Sequence, residues 1–213
     1  MRRKIRGIFL ITLGLVMSIS AAVIFAMYAY QADIAGDNAQ ILLDTLTEEI
    51  KERKEINRYD TAEQEEPATE LPQATLAGYE LVGIIRAPSL GLELPVLDSW
   101  SYELLQISPC RYSGSVEGGD LILLGHNYKR HFAPLKKIGI GDIVEFCDVN
   151  GKIYTYKVTE TEILQKTELE RLTASDCDLT LFTCTNGGYS RFVVRCVLTS
   201  TSSESNSYLA ETL

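Results

Sequence analysis

Histidine is scarce in this chain. There are two in 213 residues, His126 and His131, so any imidazole chemistry has only two candidates. No C-x-x-C pair joins the five cysteines, and their spacing matches no zinc pattern. A basic surface is missing as well. Net charge is −9, whereas binding nucleic-acid phosphates wants clustered Lys and Arg, so no nucleic-acid partner is expected. Cysteine is absent from the first hundred residues, and the odd total leaves at least one thiol free or paired with another chain. A disulfide among Cys110, Cys147, Cys177 and Cys196 is left unassigned.

Charge is also missing from one long stretch. No charged residue stands between Gly7 and Ala32, in "GIFLITLGLVMSISAAVIFAMYAYQA". About 20 apolar residues span a bilayer, and the preceding "MRRKIR" marks the cytoplasmic side. Residues 1–32 therefore read as a basic flank and a transmembrane signal anchor, with membrane contact over residues 7–30 and the rest of the chain outside the cell. The competing reading is a cleaved signal peptide with "SAA" at 20–22 as its small-residue site. The apolar run outlasts that site and exceeds the usual core of about 7–15 residues.

Residues 33–78 read as an acidic extracellular stalk. Within it, residues 37–58 predict a helix, with Asp37 as cap and Leu46 and Ile50 on a narrow apolar stripe. That narrowness suggests a stalk or weak self-association rather than a core element. "YDTAEQEEPATELPQA" at 59–74 is acidic, proline-bearing and poor in large apolar residues, the composition of a disordered linker.

From Tyr79 the pattern changes to short apolar runs between turn signals. Strands are predicted near 79–86, 91–97, 119–125, 142–149, 152–163, 178–184 and 190–199, and short helices near 101–106 and 131–138. Asn-Gly in "VNGK" at 149–152 is a two-residue hairpin signal. Many closely spaced strands argue for a mainly β sandwich or barrel over 79–199, followed by a flexible tail at 200–213.

Three residues can do chemistry together. Cys184 ends the apolar run "LTLFTC", His126 ends "LILLGH", and Arg191 opens "RFVVRC". The thiolate is the reactive form of cysteine, and a neighbouring cation favours it. Histidine moves protons to and from such a nucleophile, and a guanidinium supplies donors to developing oxyanion charge. Each alone has a plainer reading: a small core residue, a strand cap, a solvated edge. Arg195 competes with Arg191, because 191, 193 and 195 share one face of a strand. His131, at a helix start after a basic pair, is the weaker histidine.

"TLFTC" at 180–184 resembles the T-L-x-T-C signature of sortases, membrane-anchored cysteine transpeptidases of mostly Gram-positive bacteria. "GHN" at 125–127 is similar to their histidine segment and "SRFVVRC" at 190–196 to their arginine strand; the likeness runs from about Tyr79 to Leu198. It implies a closed eight-stranded sortase-type β-barrel. It implies Cys184 as nucleophile, His126 as general acid/base and Arg191 as the substrate-positioning, oxyanion-stabilising group. Thr183 would contact substrate, and the backbone N–H of Thr185 would be a second oxyanion donor.

The implied reaction cleaves an L-P-x-T-G-like sorting signal on secreted proteins. The implied acceptor is an amine of a peptidoglycan precursor or a pilin lysine. No cofactor and no metal are expected; Glu160, Glu162, Glu168 and Glu170 read as a solvated acidic loop. The Asp-Pro-aromatic lid of pilus-building members is not found, which points to a smaller, non-pilin class. Other readings are a non-catalytic tethered barrel serving as scaffold or adhesin, and a peptidoglycan-directed cysteine peptidase. "LPQAT" at 71–75 is similar to a sorting signal with Ala74 in place of Thr, by default a coincidence.

Overall fold

The computed structural model describes residues 2–59, 71–168, 170–173, 176–185 and 187–203. One helix, α1 (Arg2–Tyr59), opens the chain. Nine strands follow: β1 (Ala74–Leu76), β2 (Tyr79–Ala87), β3 (Leu92–Leu97), β4 (Cys110–Ser113), β5 (Leu121–Gly125), β6 (Ile143–Asp148), β7 (Lys152–Gln165), β8 (Leu179–Cys184) and β9 (Ser190–Ser203). The helices α2 (Tyr102–Leu105) and α3 (Glu170–Thr173) and two short 3-10 segments, Pro88–Leu90 and Ala133–Lys137, sit in the connections.

The strands pair in the order β1-β2-β3-β4-β5-β8-β9-β7-β6, and β6 pairs back onto β2. Eight strands, β2 to β9, therefore close a ring, and β1 is an added edge on β2. Pairing is antiparallel except for β3–β4 and β5–β8, which are parallel. Side chains alternate across a pleated strand, and two apolar clusters result. Leu121, Leu123, Leu179, Leu181, Val194 and Cys196 fill the interior. Ile122, Leu124, Phe182 and Val193 belong to a second cluster on the outer face.

The structure differs from the expected organisation at both ends of the barrel domain. The segment after Ala32 is not a free stalk. Alpha1 runs unbroken from the apolar stretch onto the sheet, where Leu42, Leu43, Leu46 and Ile50 join the outer-face cluster. The docked stripe extends past the expected helix through small residues: Ala35 and Ala39 are 1% exposed, and a Cβ on Gly36 would fall 2.5 Å from the Arg130 side chain. Small residues contribute little hydrophobicity but allow close approach. The linker's last residues are also ordered: Leu71 is buried in the interior cluster, and "LPQAT" runs into β1, paired with β2. Residues 60–70 lie outside the described residues. At the other end β9 continues to Ser203, pairing with the start of β7, so the tail begins later than residue 200; residues 204–213 lie outside the described residues.

Asn-Gly stands in the β6–β7 hairpin, but the connection is three residues, Val149 to Gly151, one longer than the two-residue turn expected. Asp148 accepts the N–H groups of Asn150 and Lys152, and Gly151 takes φ 82°, which suits glycine.

Candidate active site

Register brings the three predicted residues to one rim. Beta5 and β8 run parallel with Gly125 opposite Thr183, so His126 and Cys184 leave adjacent strands side by side. Beta8 and β9 run antiparallel with Cys184 directly opposite Arg191. Facing residues in such a pair hold their Cβ atoms about 4.5–5.5 Å apart. Phe182 and Val193, two residues inward, lie on the outer face. The same alternation carries His126, Cys184 and Arg191 to that face, where all three are half-buried.

Local sequence explains each placement. Gly125 precedes the histidine because a Cβ there would sit 2.5 Å from the Phe132 ring. The Phe132 N–H donates to the His126 carbonyl (3.1 Å), which closes the 126–132 loop. The His126 ring packs on Tyr128 with centroids 4.7 Å apart. Burial lowers the pKa of His126 below its usual value, so its resting form at neutral pH is the neutral imidazole. Between Cys184 and Arg191, Gly187 and Gly188 adopt φ of 88° and 72° and turn the chain back. The Arg191 Nη1 donates to the carbonyls of Gly188 (3.1 Å) and Ser190 (3.2 Å), which fixes the guanidinium on its own turn.

The structure separates the competing residues. Arg195 faces Thr180, four positions along from Cys184. It is buried in an ion pair with Glu162 (Nη2–Oε1 2.6 Å) and donates to the Arg171 carbonyl. His131 is fully buried, its Nε2 3.3 Å from the Ala35 carbonyl, and burial lowers its pKa to about 4. It pins α1 to the barrel. None of the five cysteines stands in a disulfide. Burial pushes Cys110 and Cys196 up to about 12, so neither forms a thiolate near neutral pH. Cys184 is half-buried at the rim.

The two threonines are differently placed. Thr183 is fully buried, and its hydroxyl has no hydrogen-bond partner. The Thr185 N–H donates to the Ser190 carbonyl (2.9 Å), and its hydroxyl pairs with that of Ser190 (2.7 Å). Among the acids, Glu162 pairs with Arg195 and Arg171, and Glu168 with Arg171 and the Gln165 N–H. No cluster of three or more potential metal ligands occurs among the described residues.

Sequence reading missed an aromatic series beside the thiol. Phe182 meets Tyr112 edge-on (5.3 Å), and Tyr112 stacks on Trp100 (5.8 Å). Tyr128, which packs on His126, was missed too. The period-2 apolar pattern signals such residues only as strand faces; their partners come from non-local pairing.

Register sets a half-buried cysteine, a histidine and an arginine at three neighbouring strand ends, residue types that suit acyl transfer through sulfur. A family model described as "Sortase domain" matches residues 85–199, and the chain belongs to the sortase family. It is a sortase-type cysteine transpeptidase. Solved structures agree. Sortase A of Listeria monocytogenes is 25% identical, with a TM-score of 0.53 over 62% of this chain and 95% of that one. A sortase D5 transpeptidase of Clostridium perfringens is 17% identical, with a TM-score of 0.57 over 77% and 99%. Sortase C of Clostridium perfringens, solved with the C-terminal cell wall sorting motif, is 22% identical, with a TM-score of 0.52 over 74% and 89%. No curated protein matches.

Proposed function

We propose that this chain is a membrane-anchored transpeptidase that cleaves an L-P-x-T-G-like sorting signal between Thr and Gly and passes the protein to an amine. One observation carries the reading: register sets His126, Cys184 and Arg191 on one face of three adjacent strand ends. The Cys184 sulfur attacks the scissile carbonyl carbon while neutral His126 takes the thiol proton. Arg191 donates to the oxygen as its charge develops. His126 then gives the proton to the leaving glycine nitrogen, the C–N bond breaks, and a thioester remains. An acceptor amine attacks the thioester carbonyl and loses its proton to His126, the C–S bond breaks, and His126 passes that proton to the departing Cys184 sulfur.

Thr183 and Thr185 flank the nucleophile. Contact of Thr183 with substrate, or of the Thr185 N–H with an oxyanion, requires the 183–190 turn to rearrange, because those groups are buried or already bonded. The aromatic series from Phe182 to Trp100 offers an apolar floor for a peptide beside the thiol. The acceptor is a peptidoglycan-precursor amine or a pilin lysine; the absence of an Asp-Pro-aromatic sequence before the barrel favours a non-pilin class. The uncharged run from Gly7 to Ala32 forms the amino-terminal part of α1, is fully exposed over its apolar window, and serves as the anchor, with the barrel outside the cell.

The test is mass spectrometry of the enzyme after incubation with a sorting-signal peptide library. A thioester adduct on Cys184 is expected, and it disappears in Cys184→Ala without a change in Tm. Full cleavage by Cys184→Ala would refute the assignment.

A further inference from the structure

The docked part of α1 has a direction relative to the barrel. Near its membrane side, Tyr28 meets Tyr128 edge-on (5.6 Å), and the Ala35 carbonyl meets His131. Gly36 and Gln40 share a surface pocket with Leu90 and Leu92. Further along, Ile50 and Lys54 lie against Gly151. Strand directions decide which end of the barrel each contact marks. Beta2, β5 and β8 all finish at the end where β3, β6 and β9 start. That end holds His126, Cys184, Leu90 and the 139–142 loop, with Ser89 bonded to Asp142 across it. Gly151, in the β6–β7 hairpin, marks the opposite end. Alpha1 therefore reaches the barrel at its catalytic end and runs away from it.

There is no spacer between the apolar run and that end. From Gly7 to Ala32 is 26 residues, about 39 Å of helix at ~1.5 Å per residue. A bilayer's hydrocarbon core is about 30 Å thick, so the run's last residues, Tyr28 and Tyr30 among them, stand at headgroup depth. Tyr28 already touches Tyr128, two residues from His126. Cys184 stands one strand further, a spacing of about 4.8 Å.

The surface at this end suits a lipid boundary. Tyr189 is 81% and Ile140 73% exposed, and Lys129, Lys137 and Lys166 are exposed around them. Aromatic residues favour the membrane–water interface, and Lys near an anionic leaflet is attracted to it. Two acids at the same end are engaged: Asp37 with Arg130, and Asp142 with Ser89 and the Gly139 N–H.

We propose that the catalytic end of the barrel faces the membrane and rests on its surface, with Tyr189 and Ile140 at the interface and Lys129, Lys137 and Lys166 against anionic headgroups. This rests on the anchored reading of α1. Cys184 then works within a short distance of the bilayer, on peptide segments emerging from the same membrane.

Depth-dependent fluorescence quenching tests this with the full chain. Trp100, the single tryptophan, is changed to Phe, and one new tryptophan is introduced by Tyr189→Trp, Ile140→Trp or, at the far hairpin, Asn150→Trp. Each variant is reconstituted in phosphatidylglycerol/phosphatidylcholine vesicles with and without lipids spin-labelled near the headgroup. The Tyr189→Trp and Ile140→Trp variants should lose most of their emission to the labelled lipid, and Asn150→Trp should lose none. Protein that floats with the vesicles while Asn150→Trp is quenched as strongly as Tyr189→Trp, or while Tyr189→Trp is unquenched, overturns the orientation alone. Protein that fails to float with the vesicles overturns the anchor and the orientation together.

Discussion

Replacing Leu46 by alanine decides whether the second half of α1 is a stalk or part of the catalytic domain. Leu46 is 0% exposed and lies in the outer-face cluster with Leu42, Leu43 and Ile50. Truncating a fully buried leucine costs about 2.7–5 kcal/mol, the transfer of the lost methyl groups plus the cavity left behind. On an exposed stalk the same change stays within about 0.5 kcal/mol. For a domain of this size each kcal/mol moves Tm by about 2–4 °C. A loss of about 3 kcal/mol therefore lowers Tm by about 6–12 °C. The internal control is Ile41→Ala, on the same helix and 64% exposed, which should move Tm little. The assay is thermal unfolding of the full chain in detergent, followed by circular dichroism at a wavelength dominated by strand. Equal Tm values for Leu46→Ala and wild type would refute the docking of α1 and the energetics built on it.

Arg191→Lys should lower kcat by roughly 10²–10³-fold on a fluorogenic signal peptide with Tm unchanged, since a point ammonium does not reproduce the guanidinium fork; an unimpaired variant would remove Arg191 from the reaction. Acid should loosen the helix through His131. Its folded pKa, about 4, lies below the ordinary 6.5, so its contribution is complete above 6.5 and is lost as pH falls toward 4. That interval corresponds to about 3 kcal/mol. Denaturant midpoints of wild type should fall more steeply across it than those of His131→Gln, and parallel curves would contradict this. Glu162→Gln leaves the Arg195 charge, only 6% exposed, without its carboxylate and should cost about 3–5 kcal/mol by urea unfolding; adding Arg195→Met should restore part of it.

The strands were legible as short apolar runs bounded by turn residues, as in β5 and β8, helped in β7 by alternation from Tyr154 to Val158. Beta4 was not, because four residues interrupted by a bulge after Arg111 carry too little period. Beta1, three residues following a proline, was hidden for the same reason. Docking of α1 depended on Ala35, Gly36 and Ala39, residues that apolar counting scores as weak and whose value appears only against Arg130 and the sheet. For the site, residue type and position at run ends singled out His126, Cys184 and Arg191. The choice between Arg191 and Arg195 needed register, a property of two strands that neither displays alone. The Ser190 carbonyl's hold on the Thr185 N–H likewise arises from the turn's path.

Ring closure through the β2–β6 pairing has a colloidal consequence. Open sheet margins invite neighbouring chains to add on and start fibres. Here, among the described residues, the strand left flanking the ring is β1, only three residues long. Copies of this chain that meet at high local concentration therefore find no long outermost strand at the ring's flank to zip onto.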